Sequence, residues 1–168
     1  MWVEAHVLKS ENALANSLEM ILPSLRSISD SMGEILSRYP GELDLRGVEV
    51  LSDAAAEWLS QQPGRLFIGT SFKLFPGTPG FVSLARKLSN SQAHLSFDKL
   101  THLSDSIARE FSHAKVAGIA MPALVDVSVE GAMYLSCTLT DLDVKLERLP
   151  KKVRAILLNH PSLCVQGQ

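Results

Sequence analysis

The spacing in the chain that most resembles a catalytic motif is Ser96-Phe97-Asp98-Lys99, in which a lysine follows a serine by three residues. In penicillin-binding enzymes, one helical turn at this spacing brings the lysine amine to a nucleophilic serine hydroxyl. Here the segment alternates as a strand does, which places Ser96 and Asp98 on one face and turns Lys99 elsewhere. Neither S-D-N nor K-T-G follows, so we do not interpret Ser96 as a nucleophile.

Metal and phosphate sites also lack the spacing they need. The five histidines fall in different sequence contexts, which predicts that they point in different directions: His6, His94, His102, His113 and His160. His160 and Cys164 are close in sequence, but two ligands are too few for zinc. The glycines of residues 76–80 alternate with prolines, which lack the amide donors of a phosphate cradle. We therefore expect no metal, no cofactor and no catalytic residue.

Composition narrows the class of protein. The chain has 168 residues with 16 Lys and Arg against 18 Asp and Glu, a net charge of -2, so nucleic acid and anionic membrane surfaces are not expected partners. The densest basic cluster is offset by nearby acids and is interpreted as a solvated helix start: Arg148, Lys151, Lys152 and Arg154. The longest apolar stretch, residues 116–125, is too short for a membrane span. With only two cysteines and no signal-type segment, we expect a cytoplasmic protein.

The elements that would position any surface site come from an internal repeat of about 23 residues. Six small residues form one column: Gly33, Ala56, Ala85, Ala108, Ala132 and Ala155. Three residues later comes a second column: Leu36, Leu59, Leu88, Phe111, Leu135 and Leu158. Upstream, paired apolar residues such as Leu43 and Leu45 recur with a period of two. Residues 75–80 have no counterpart in the other units and predict a loop insertion in unit three.

Each unit predicts a short strand followed by a helix. The L-x-L part has the alternation of a strand with one buried face. The later part, as in Ser52 to Leu59, begins with capping residues and places small and apolar residues on one helical face. Each helix is expected to end at a polar stop such as Gln62-Pro63-Gly64, with glycine in a left-handed cap.

The unit L-x-L-x-x-L-x-x-L-S-D-x-x-A-x-x-L, best seen from Leu43 to Leu59, resembles bacterial leucine-rich-repeat-like arrays. The resemblance covers residues 19–160 and implies an α/β fold: a right-handed solenoid of about six β-α units. It places a short parallel sheet on the concave side and the helices on the convex side. The Asn or Cys usual at the turn of typical repeats is absent, so we expect apolar packing and capping to hold that turn. Members of such families mostly bind other proteins.

We expect one domain over residues 1–168. Residues 1–18 are predicted to form an N-terminal helical cap, and residues 161–168 a C-terminal cap or tail with a short edge strand. An uncovered edge could pair with a second copy of the chain, which would give a homo-oligomer through the C-terminal edge.

The outward positions of the predicted sheet form an array with an aromatic residue and arginines among polar side chains, the composition of a binding hot spot. The candidate partner-binding residues are Glu42, Asp44, Arg46, Arg65, Phe67, His94, Ser96 and Asp98, with Phe75 and Pro76 of the predicted loop. An alternative is that Phe67 packs under that loop.

The sequence thus favours a protein-protein interaction module that binds a protein partner through the concave sheet and the 75–80 loop. It could act as an adaptor or as an immunity-type inhibitor that occludes another protein's active site. Two alternatives remain open: a structural subunit of a larger repeat assembly that self-associates through its ends, and an enzyme whose site linear spacing does not reveal.

Overall fold

The computed structural model describes residues 19–69, 71–72, 74–90, 94–161 and 163–164. The helical cap expected for residues 1–18 lies outside them. Within the described residues the chain is α/β, with six helices and short strands that pair in parallel, as the sequence predicted.

The helices follow one another along the chain, and each packs against the next. They are α1 (Asp30–Ser37), α2 (Asp53–Ser60), α3 (Pro79–Ser89), α4 (Asp105–Ser112), α5 (Val129–Ser136) and α6 (Lys151–Leu157). A 3-10 turn at Leu146–Arg148 precedes α6.

The strands form two series rather than the single series that the sequence predicted. The first series is β1 (Glu19–Ile21), β3 (Glu42–Asp44), β5 (Leu66–Phe67), β7 (Leu95–Ser96), β9 (Gly118–Met121), β11 (Asp141–Val144) and β12 (Leu163–Cys164). The second series lies just before each of the helices α1 to α5: β2 (Ser27–Ile28), β4 (Val50–Leu51), β6 (Leu74–Phe75), β8 (His102–Leu103) and β10 (Asp126–Val127).

Both series are interrupted in the middle of the chain. The first divides into β1-β3-β5 and β7-β9-β11-β12, and the second into β2-β4 and β6-β8-β10. We call this interruption the ladder break. Beside it lies Gly69 at φ 118°, where a Cβ would stand 2.5 Å from the ring of Phe97. The continuous six-strand sheet expected from sequence is therefore wrong, because the chain at Gly69 departs from extended geometry.

The insertion predicted as a loop at residues 75–80 is distributed along unit three. Phe75 is a fully buried strand residue that pairs with Leu103, and α3 already begins at Pro79. One extra residue precedes β6, two separate it from the N-cap Thr78, and α3 has 11 residues where α2 has 8. The prediction of one loop over residues 75–80 is wrong, because Phe75 belongs to a strand, α3 takes up part of the added length, and only residues 76–78 lie outside regular elements.

The Phe75 ring belongs to a cluster of five phenylalanines around the ladder break. The ring centroids of Phe75 and Phe81 are 5.1 Å apart, and those of Phe97 and Phe111 are 5.4 Å apart. Phe72 completes the cluster with an edge contact to Phe75. Edge-to-face pairs of this kind add to the stabilisation from burial.

N-cap serines and the aspartates that begin the preceding helices connect neighbouring helices. The hydroxyl of Ser128 accepts the N–H of Gly131 and so caps α5, as the sequence predicted. The same hydroxyl donates to the carboxylate of Asp105 at the start of α4, at 2.5 Å. Ser52 likewise donates to Asp30. Each pair therefore links a helix start to the preceding helix.

The small-residue column permits close contact between neighbouring helices. A Cβ on Gly33 would lie 2.9 Å from the Cα of Ala55, and Ala56, Ala85, Ala108 and Ala132 are fully buried. The last unit departs from the column: Ala155 and Leu158 are exposed, while Val153 and Leu157 are buried. The 3-10 turn starts α6 one residue sooner than the 23-residue spacing requires, which rotates the helix.

Helix ends are closed differently from the prediction. Gly69 is the one glycine of the described residues with positive φ, so the left-handed cap expected at Gly64 is wrong. Position 64 requires glycine for a different reason: a Cβ on this residue would lie 2.0 Å from the carbonyl oxygen of Gly41. Hydroxyls of the serine column instead close the last turn: Ser37, Ser60, Ser112 and Ser136 each donate to the carbonyl three residues earlier.

Candidate functional site

The outward side chains of β3 and β5 form a cluster around Phe67, which we call the Phe67 cluster. The guanidinium carbons of Arg46 and Arg65 lie 6.0 and 5.9 Å from the centroid of the half-buried Phe67 ring. Both distances are within cation–π range. Strand pairing produces this arrangement, because Asp44 lies beside Phe67 in register and Leu43 lies beside Leu66.

Arg46 is held in place by Asp44. Its Nε donates to both carboxylate oxygens at 3.0 Å, and its backbone N–H donates to Oδ1 at 3.1 Å. The hydrogen bonds from the guanidinium lower the pKa of Asp44, although burial of that carboxyl acts in the opposite direction. The carboxylate is therefore charged at neutral pH, and the position of Arg46 is set before any partner arrives.

Arg65 has a corresponding acid on the neighbouring strand. Its Nη1 lies 3.2 Å from Oε1 of Glu42, and the arginine side chain remains largely exposed. The sequence prediction that Glu42, Asp44, Arg46, Arg65 and Phe67 share a surface is consistent with these contacts.

The other predicted sheet residues lie beyond the ladder break. His94 is exposed and leans over Gly118, where a Cβ would come within 2.3 Å of its ring. Ser96 donates to Asp98, and Lys99 lies 3.8 Å from Glu49. The Ser96-to-Lys99 segment thus pairs neither residue with the other. Because β5 and β7 are not hydrogen-bonded neighbours, the structure does not bring this group into register with the Phe67 cluster.

The two partner-binding residues predicted from the loop, Phe75 and Pro76, differ in how far they are buried. Phe75 is fully buried in the phenylalanine cluster, so its side chain is inaccessible to a partner. Pro76 is half-buried directly after β6. The alternative in which Phe67 packs under a 75–80 loop loses its basis, because Phe75 ends β6, α3 begins at Pro79, and only residues 76–78 lie between them.

Sequence inspection missed a cavity of about 680 Å³ beside Arg65, between the ends of α2 and α3. Two further cations line it, and each has a partner. Arg86 binds Glu110 at 2.9 Å, and the Lys87 ammonium donates to the carbonyls of Gln62 and Gly64. Burial lowers the pKa of Lys87.

Neither a metal centre nor a membrane span is evident in the described part of the chain. No group of three or more His, Cys, Asp or Glu side chains there is placed to hold a metal ion. No helix among those residues has the length and apolar character to cross a bilayer. The chain matches no protein-family model, no curated protein and no solved structure.

Proposed function

We propose that the protein is a protein-protein interaction module whose partner contacts the Phe67 cluster. The observation that carries this proposal is an accessible aromatic ring between two arginines that are already positioned by acids. Aromatic and arginine side chains dominate binding hot spots, and pre-positioned side chains lose less entropy on binding.

The architecture we propose for this module is the right-handed, leucine-rich-repeat-like solenoid. Strands of the first series pair in chain order on either side of the ladder break, and consecutive helices pack on one another. In such a solenoid the Phe67 cluster lies on the concave sheet, with His94, Ser96 and Asp98 further along it. This geometry suits an adaptor, or an inhibitor that covers another protein's active site.

The test is affinity capture from a lysate of the source organism with wild type and an Arg65→Ala/Phe67→Ala variant. This pair leaves the partly buried Asp44–Arg46 contact intact, so folding is expected to persist and is checked by thermal denaturation. The matched control is Arg38→Ala, which removes an exposed arginine of α1 that pairs with Glu34.

A protein retained by wild type and the control but lost with the variant supports the proposal. Equal recovery on all three proteins contradicts it and moves the site elsewhere.

A further inference from the structure

Exposed large apolar side chains concentrate in the last third of the chain. Seven such residues occur in the described residues, and five of them lie between residues 125 and 158. Four define what we call the outer helical patch: Val129 is 46% exposed, Met133 57%, Leu139 90% and Leu158 58%. Contiguous exposed apolar surface marks interaction sites in otherwise stable proteins.

The four residues lie on, or directly after, the two neighbouring helices α5 and α6. Val129 and Met133 are four residues apart on α5, so they share one helical face. Leu139 follows in the turn after α5, and Leu158 ends α6, which packs against α5. The hydroxyl of Thr138 lies 2.7 Å from Nε2 of His160, which holds the two turns side by side.

The other units show that folding does not require this patch. The first and fifth positions of α1 are Asp30 and Glu34, and those of α2 are Asp53 and Glu57. In α5 the same positions hold Val129 and Met133. Because the same backbone element in α1 and α2 carries charges there, the apolar residues of α5 are not needed to form the helix.

The charges beside the patch indicate the chemistry of the partner. Arg109, at the fifth position of α4, is exposed on one side, and Lys151 and Lys152 at the start of α6 are exposed on the other. The exposed acids nearby are Asp126, before α5, and Glu130, which accepts the hydroxyl of Tyr134. No ion pair joins these three cations to an acid within the described part of the chain. A partner that buries the apolar residues brings its own charges next to them.

We infer that the outer helical patch binds an amphipathic helix with an apolar stripe and acidic flanks, at a surface separate from the Phe67 cluster. The apolar stripe covers Val129, Met133, Leu139 and Leu158. The acidic flanks reach Arg109 on one side and Lys151 and Lys152 on the other. Helix-in-groove and helix-on-face recognition of this kind uses anchors at i, i+4 and i+7.

The probe is a labelled synthetic peptide that forms an amphipathic helix with a leucine stripe and flanking glutamates. Two comparison peptides carry lysines in place of the glutamates, or the acidic sequence scrambled. Fluorescence anisotropy gives the affinity of each peptide for the full chain, and the methyl resonance of Met133 reports contact at the patch.

The decisive variant is Val129→Asp/Met133→Glu, which gives α5 the residues that α1 and α2 carry and is therefore expected to fold. We expect it to weaken binding of the acidic peptide by at least about tenfold. The matched control is Ile35→Glu/Val50→Glu, which introduces the same two negative charges at exposed apolar residues outside the patch and leaves binding unchanged.

Equal affinity for the acidic and basic peptides, or equal binding by wild type and the decisive variant, overturns the inference. A wild-type dimer in sedimentation that the decisive variant dissociates assigns the patch to a second copy and also overturns it. Binding to phosphatidylserine vesicles without binding to the acidic peptide also overturns the inference and assigns the patch to a lipid surface. Arg65→Ala/Phe67→Ala leaves peptide binding intact, so the two proposals fail independently.

Discussion

A side-chain oxygen of Asp53 accepts the backbone N–H of Gly80 at 2.9 Å, so a carboxylate that begins one helix caps the next one. The N–H of Phe81 lies 3.3 Å from the same oxygen, and the hydroxyl of Thr78 also donates to it. Thr78 makes no side-chain cap for its own helix. The N-terminus of the longer α3 is thus capped by Asp53 of the preceding unit and not by its own N-cap residue, Thr78.

We expect Asp53→Ala to lower the free energy of unfolding by about 1–2 kcal/mol, the range for loss of an N-cap. The matched control is Asp30→Ala, because the described contact of Asp30 is with the hydroxyl of Ser52 rather than with helix N–H groups. Urea denaturation of both variants gives the comparison. Equal losses in the two would contradict capping of α3 by Asp53.

Ala108→Leu should overpack the contact between α4 and its neighbouring helices, since Ala108 is fully buried. The expected cost is about 1–3 kcal/mol of unfolding free energy. Ala155→Leu is the control, because the same column position in α6 is exposed. Similar effects of both substitutions on thermal stability would contradict the conclusion that the small residues of the column permit close packing of the helices.

Lys87 stabilises the turn after α2 through its bonds to the carbonyls of Gln62 and Gly64. Lys87→Met retains much of the apolar stem but removes these donors, and we expect a loss of about 1–3 kcal/mol, the range for charged hydrogen bonds. Lys115→Met, at an exposed lysine, provides the comparison by chemical denaturation. An unchanged midpoint for Lys87→Met would show that the two carbonyls are satisfied without it.

His160 should make stability depend on pH. Burial lowers its pKa below the ordinary value of 6.5, against smaller raising effects from Thr138 and Asp141. As the pH falls through 6.5, the unfolded chain binds the proton before the folded chain does, so stability decreases with acidification.

The unfolding free energy of wild type and His160→Gln, measured between about pH 8 and about pH 5.5, tests this. The slope should diminish in His160→Gln, whereas His113→Gln at an exposed site should retain it. A wild-type slope that survives His160→Gln would assign the dependence to other groups.

Local patterns predicted more of the fold than the spacing between units did. Alternation around Leu43 and capping at Ser52 gave the correct strand and helix, because each depends on neighbours in sequence. The last unit was misaligned by one residue at Leu158, since the 3-10 turn at Leu146–Arg148 has no distinctive signal. Prolines and glycines at residues 76–80 favour a loop, but the same residue types also occur at helix starts. The sequence therefore did not reveal that α3 begins within the insertion.

For the candidate site, too, the sequence predicted local features but not those that depend on tertiary packing. Phe67 and its two arginines were accessible to sequence inspection because strand register follows from the repeat. Phe75 was misassigned, since burial in the phenylalanine cluster depends on tertiary packing. The second role of the S-D pair was also missed, because Asp105 and Ser128 meet only when helices stack.

The ladder break affects the cooperativity with which the chain unfolds. Within the described residues, backbone pairing joins β1, β3 and β5 into one block and β7, β9, β11 and β12 into another, and β6 pairs with β8 on the side of the second block. The first block is connected to the rest through side chains, such as the Asp53 carboxylate that caps α3 and the Lys99–Glu49 ion pair. Ring packing of the phenylalanine cluster then holds unit three against the second block. Cooperativity across the break therefore depends on side-chain contacts rather than on continuous strand pairing. Amide exchange should reveal two blocks with their own opening free energies, and Phe75→Leu should uncouple them further.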